Sequence, residues 1–398
     1  MQANMLKALF AAVCAAALVG PAMAQQQPDQ ILQNYHAYTA ALQRGDFAAA
    51  ETAAAAALAG SEARDGDGGH TAVLAFNLAT LRFKMGHDAD ALAPAQRAFA
   101  LADHPNSGVN VLDATLVLGR AELASNKDSG VDRLRTALEQ AAASPTPPDD
   151  FVPAAALDLA SYTFSKRQFE LSREAWSIFG VYPTTPDQES EAAGIYRRAI
   201  ADTGEGAAIF MEALASGRSV IWGASARDAH EAFYHARQGL SALVREQRGA
   251  EFTLVDAAYA RALAWDSALR ARIMSDGGVA PKDPQEAEGD ADGLTELISE
   301  SESGAAPPLT PRCWFAVHHP NIEFPSRAAD RGQIGAVVAR LAVNDAGVVT
   351  KAEMVARVGA PEFSAAVPAQ GWSVSVRRDS PSGCRKAVNV LVPVDFVM

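Results

Sequence analysis

The densest run of chemically capable side chains is His230-Glu231-Ala232-Phe233-Tyr234-His235. A zinc-protease helix places two histidines four apart, one turn, so that both imidazoles reach the same ion and the intervening Glu acts as base. Here the spacing is five, which rotates the second imidazole away, so the run reads as ordinary helix surface and core. His318-His319 is an adjacent pair without Cys or carboxylate companions at ligand spacing. Gly223-Ala224-Ser225-Ala226-Arg227 misses the nucleophile-elbow pattern, because Arg227 stands where the second Gly belongs. No Gly-rich phosphate loop occurs. The expectation is a chain that is not an enzyme, with no catalytic residue, no metal site and no cofactor.

Bulk composition fits a binding protein of two or three domains. The chain has 398 residues, 49% apolar and 20% charged, with a formal net charge of −13. That balance argues against nucleic acid and against anionic membrane surfaces as partners. The charge is uneven. From Arg312 onward there are 10 Lys/Arg and 7 Asp/Glu, whereas the body between the leader and Arg312 carries 23 against 40.

The first 24 residues read as a secretory signal. Lys7 supplies the positive start, Ala8–Val19 is an apolar run too short to span a bilayer, Gly20-Pro21 breaks it, and Ala22-Met23-Ala24 offers small residues for cleavage. Cleavage between Ala24 and Gln25 would leave a mature protein in the periplasm, with no membrane span of its own. The alternative is a leader kept as an anchor.

Residues 25–274 show small and apolar residues at helical spacing in four successive segments. Their turn markers are Gly45, Gly86, Asn126 and Arg167, each about 40 residues from the next. Each unit should be two helices that bury a face only by stacking on the next pair. Gly45-Asp46-Phe47 with Ala50 and Ala57 resembles the tetratricopeptide repeat, although the spacing exceeds that family's usual repeat of about 34. The resemblance implies an all-α helical solenoid. Residues 190–274 continue as amphipathic helices that cap the array. Residues 275–311 then hold nine acidic residues with Gly277-Gly278 and Pro307-Pro308, which reads as a flexible acidic linker.

In residues 312–398 a two-residue alternation replaces the helical period. Val337, Ala339, Leu341 and Val343 share one face of a strand, Asn344–Gly347 turns, and Val348–Val358 returns, with Met354, Ala356 and Val358 on one side. A short helix at Pro361–Gln370, a strand at Trp372–Val376, and a long last strand carrying Val388, Val390, Val392, Val394 and Phe396 complete a small α+β domain with an antiparallel sheet. Phe324-Pro325 with Ala328, then Gly332 and Gly335, and Asp345-x-Gly347-x-Val349 resemble the TonB C-terminal domain. Two features of that family are missing. Pro368 follows Phe363, Ala365 and Ala366, leaving only Trp372 of the expected aromatic segment, and no proline-rich spacer precedes the domain.

That resemblance implies a protein of the TonB-like, transport-associated class. It would grip a partner peptide by adding it as a strand at a sheet edge, with the last strand, Val388 to Phe396, as the candidate edge. The implied partners are periplasmic proteins, TonB-dependent outer-membrane transporters among them. The alternative is a cell-envelope scaffold for peptidoglycan or assembly proteins with no transport role. Cys313 and Cys384, two cysteines of an exported chain, are expected to form a disulfide rather than stay free thiols. In the chain-entropy model such a bridge contributes about 4 kcal/mol.

Overall fold

The computed structural model describes residues 30–143, 151–181, 191–217, 219–220, 223–246, 253–279, 297–298, 315–344, 348–376 and 388–397. The chain divides into two compact units. The first is residues 1–162 with 182–190, and the second is 163–181 with 191–398.

The first half of the chain is a succession of helices: α1 (Gln30–Gln43), α2 (Phe47–Asp65), α3 (Gly69–Met85), α4 (Leu92–Leu101), α5 (Val111–Ala124), α6 (Ser129–Ala143), α7 (Phe151–Ser165) and α8 (Phe169–Val181). The four turn markers all take the left-handed conformation, with φ of 73° at Gly45, 74° at Gly86, 56° at Asn126 and 62° at Arg167. Their hydrogen bonds repeat as well. The marker N–H donates to the carbonyl three residues back: Leu42, Phe83, Leu123 and Phe164. The next N–H donates to the carbonyl of Ala41, Arg82, Glu122 and Thr163. One left-handed residue thus satisfies the orphan carbonyls of the outgoing helix and reverses the chain at once. The repeat therefore lies in the backbone as well as in the sequence.

Within the first unit, small side chains set the distance between helices. Ala50, Ala57, Ala72, Ala75, Ala79, Ala95 and Ala98 are completely buried. Gly119 on α5 allows Leu134 of α6 to approach so closely that a Cβ would lie 2.5 Å from its Cδ2. Ion pairs tie one helix pair to the next. Arg82 of α3 reaches Glu51 of α2 at 2.8 Å, and Arg120 of α5 reaches Asp158 of α7 at 2.7 Å while lying over the ring of Phe83 at 4.2 Å. Burial raises the Asp158 carboxyl, and Arg120 opposes that rise.

The second unit continues with three long helices, α9 (Glu191–Ala215), α10 (Ala224–Glu246) and α11 (Leu254–Ser275). Thr253 caps α11 with a reciprocal capping box to Asp256. The strands are β1 (Leu297–Ile298), β2 (Phe315–His318), β3 (Gly335–Val343), β4 (Val349–Val358), β5 (Ser373–Val376) and β6 (Val388–Phe396), with α12 (Ser326–Asp330) and α13 (Pro361–Ala366) between them. The main sheet has the order β1-β6-β3-β4 and is antiparallel.

One face of that sheet carries Val337, Ala339, Leu341 and Val343 of β3 and Val390, Val392, Val394 and Phe396 of β6. It packs with Phe324, Phe363, Val367 and Trp372. The other face presents Val338 and Leu391 to Val255, Ala258, Tyr259 and Ala262 of α11, and Ala336 to Leu269 and Ile273 further along it. Leu391 meets the first half of α11 and Asp395 the second. Four strand residues at about 3.3 Å span the same distance as roughly nine helical residues at about 1.5 Å, so α11 runs alongside β6 in the same direction.

Three expectations need correction. The division into compact units does not fall at 275–311: the sheet belongs to the same unit as α8–α11, because its second face is covered by α11. The strand at Ser373–Val376 does not join the main sheet. It pairs with β2 in a separate two-stranded sheet, Phe315 opposite Val376 and His318 opposite Ser373. Met354, Ala356 and Val358 do not share one side. A register shift between Val338 and Ala339 sets Met354 opposite Ala339 but Ala356 opposite Val338, so the side chains change face at the bulge.

Candidate functional site

β6 is paired along its whole length with β3, from Gly335 opposite Phe396 to Val343 opposite Val388. Its other side meets β1 at two positions only, Leu297 opposite Val390 and Ile298 opposite Asn389. The last strand is therefore not outermost at its start. From Leu391 to Phe396 its outer side carries no ladder among the described residues. Pro393 lies within that stretch and has no N–H to offer.

The side chains named for this strand do a different job from recognition. Val390, Val392, Val394 and Phe396 all point into the core. Phe396 stacks on Phe363 with centroids 4.5 Å apart, and Phe324 meets both rings edge-on. The side chain of Val388 lies outside the described residues. Leu391, pointing the other way, is buried on α11. What β6 can present to a partner is main-chain N–H and C=O, with both faces already occupied.

Beside this strand lies a polar cluster that the sequence did not announce. Asp266, buried on α11, gives one carboxylate oxygen to Nδ1 of His230 at 2.8 Å and the other to Arg237 at 3.1 Å. His230 and Arg237 are seven apart on α10, two turns, so both face α11 with Asp266 between them. Burial alone would raise Asp266. Arg237, the His230 hydrogen bond and Arg270 together outweigh it and hold the carboxyl below its ordinary value. An ionised Asp266 can only accept, so Nδ1 of His230 carries the proton.

On the sheet side, Asp395 of β6 accepts a hydrogen bond from Ser267 and faces Arg270. Burial against α11 and the charge of Asp266 push the Asp395 carboxyl up to about 6, against Arg270 and Ser267. The Asp395 residue is nevertheless exposed at the surface, so water screens its carboxyl and moderates the rise. α11 carries two aspartates and three arginines among its apolar residues, so nothing in its sequence singles out Asp266 and Arg270.

The other singled-out residues separate in space. His230 is buried, whereas His235 is exposed on the next turn and faces Asp202 of α9, whose carboxyl burial raises to about 6. His318 and His319 are both exposed, and His319 contacts only the carbonyl of its neighbour Pro320 among the hydrogen bonds seen. Gly223 precedes α10, where its carbonyl accepts from the N–H of Arg227 as the helix begins. Cys313, Cys384, Ala24 and Gln25 lie outside the described residues. Among the described residues no three His, Cys, Asp or Glu side chains converge as a metal site, and no helix is long and apolar enough to cross a membrane.

No protein-family profile matches the chain, and no curated protein matches it. Among solved structures it is similar to a MamA protein, with 13% identity and a TM-score of 0.36 over 56% of this chain and 98% of that one. It is also similar to a tetratricopeptide repeat protein from Parabacteroides merdae ATCC 43184, with 11% identity and a TM-score of 0.32 over 61% of this chain and 86% of that one. At these values neither likeness bears on function.

Proposed function

We propose that the protein is a non-enzymatic binding scaffold of the cell envelope. Stacked helix pairs would hold one protein partner, and the sheet would take an extended peptide as an added strand. The observation that supports this is the outer side of β6 from Leu391 to Phe396, which carries no ladder among the described residues, while the inner side of β6 is fully paired with β3. Unpaired main-chain groups on such an edge recognise an extended segment by hydrogen bonds and need no converging side chains.

The finer reading follows the resemblance to the TonB C-terminal domain. On it the chain is exported to the periplasm by cleavage after Ala24, and the added strand is a plug-proximal segment of a TonB-dependent outer-membrane transporter. A Cys313–Cys384 bridge belongs to the same reading and predicts one linked peptide pair in non-reducing mass mapping. Two alkylatable thiols in the native protein would refute it.

The test uses the full chain. Synthetic transporter segments are added, and amide exchange is followed residue by residue. Protection confined to the described amides of Leu391–Phe396 supports strand addition. No protection with any segment, alongside retained binding of peptidoglycan fragments, transfers the protein to the alternative of an envelope scaffold without a transport role.

A further inference from the structure

β1 is a strand of two residues, Leu297 and Ile298, set antiparallel on the outer side of β6. Leu297 lies opposite Val390 and Ile298 opposite Asn389. β1 is the first strand and β6 the last, so no hairpin turn brings them together. β3 takes the inner side of β6 along its whole length, and β1 uses main-chain groups that β3 leaves free. The edge read above as a docking place for an extended segment therefore already holds one, and it belongs to the same chain.

The segment has a definite chemistry. Leu297-Ile298 stands between Glu296 and Ser299-Glu300, and from Asp290 to Glu302 the acidic residues are Asp290, Asp292, Glu296, Glu300 and Glu302, with no basic one. Residues from Arg312 onward carry 10 Lys/Arg against 7 Asp/Glu. An acidic segment on a mildly basic sheet domain is the complementary arrangement. Two ladder positions offset little of the entropy of ordering a segment, so β1 can be displaced. Chain connectivity holds the residue before Leu297 within about 3.8 Å of it. A partner strand that reaches Leu391 meets that same place, and the two compete.

We propose that β1 is an internal competitor for the β6 edge. The chain's own acidic Leu-Ile segment occupies the first two places, and the partner is an extended segment of the same chemistry, an apolar pair between acidic residues, that displaces it. An edge held by β1 lowers the apparent affinity of every ligand by the fraction of molecules in which it is free, so weak ligands are turned away. The inference rests on the reading of β6 as a docking edge, and it adds a ligand class and a threshold to that reading.

The probe is a synthetic peptide with the sequence of residues 291–302, so no outside partner is needed. Leu297→Pro with Ile298→Pro, which removes both N–H groups of β1, is made in the full chain. Without peptide, the variant should speed amide exchange several-fold at Asn389 or Val390, whichever faces β1. With peptide, amides within 389–396 should become protected, at several-fold lower peptide concentration in the variant than in the unmodified chain. Equal affinity for both forms, or no protection of the variant, would overturn the proposal. Transporter segments tested alongside keep the two readings apart. Their failure where the chain's own peptide binds the variant more tightly supports the competitor and removes only the transporter as partner. Their binding equally to both forms leaves docking in place and overturns the competition. Should the proline pair fail to fold, Leu297→Gly with Ile298→Gly takes its place with the same readouts.

Discussion

Gly204 of α9 sits directly against the indole of Trp176 on α8, so closely that a Cβ at position 204 would overlap three ring atoms. The two helices owe their approach to that missing carbon. Trp176 in turn meets Phe179 edge-on at 5.9 Å, which leaves the ring little room to withdraw. Gly204→Ala is expected to cost about 1–3 kcal/mol by forcing the indole off its seat. All five tryptophans of the chain fall in the second unit, so their fluorescence during urea unfolding reads that unit. An unchanged midpoint would show that α8 and α9 can separate freely.

The Asp395 carboxyl gives a pH dependence whose sign is fixed. Its value in the folded chain is raised to about 6 from an ordinary 3.8. Between those values the folded state holds a proton that the unfolded chain has released, so stability should fall as pH rises from about 4 to about 6. The charged groups facing it are Arg270 and Asp266 of α11, with Ser267 as hydrogen-bond donor. Asp395→Asn should flatten that part of the curve. A slope that survives the substitution would assign it to another group.

Asp266 carries the opposite sign. Its carboxyl is held below the ordinary value, so its contribution is fully present above about pH 4 and is lost as pH drops through the lowered value. Asp266→Ala would leave Arg237 and His230 buried without their carboxylate, and a loss of about 3–5 kcal/mol is expected near neutral pH. A loss under 1 kcal/mol would mean that water replaces the carboxylate at little cost.

Arg167 holds a left-handed turn with φ of 62°, a conformation that costs a side chain with a Cβ about 1–2 kcal/mol. Glycine removes that cost but makes the unfolded chain freer by about 0.5–1 kcal/mol. Arg167→Gly should therefore stabilise by roughly 0.5–1 kcal/mol, the difference between the two. Asn126→Gly should gain less, because Asn tolerates this region better. Tryptophan fluorescence reads the first variant and far-ultraviolet circular dichroism the second. A destabilised Arg167→Gly would reveal an interaction of the guanidinium that outweighs the backbone strain.

Much of this architecture was legible because it follows from local rules. Gly45, Gly86 and Asn126 mark left-handed turns since few other residues go there without strain, and Arg167 was found by its place in the period. The alternation Val337-Ala339-Leu341-Val343 fixed one face of β3 correctly. What escaped is non-local. A bulge at Val338/Ala339 leaves no mark in a valine-and-alanine run, yet it turns Met354 and Ala356 to opposite faces. Pairing of residues 373–376 with 315–318 depends on chain ends far apart in sequence. The polar cluster draws on α10, α11 and β6, each of which looks unremarkable alone.

Helix α11 has a consequence of its own. Val255, Tyr259, Leu269 and Ile273 are all buried, some against α10 and some against strands. A helix with neighbours on several sides has few positions where a residue can drift unnoticed. Leu254 and Met274, exposed at its two ends, are the places where substitutions should be silent. Between them only Arg261 is also exposed and most side chains are buried, so mutational scanning of this stretch should return the least tolerant helix of the second unit.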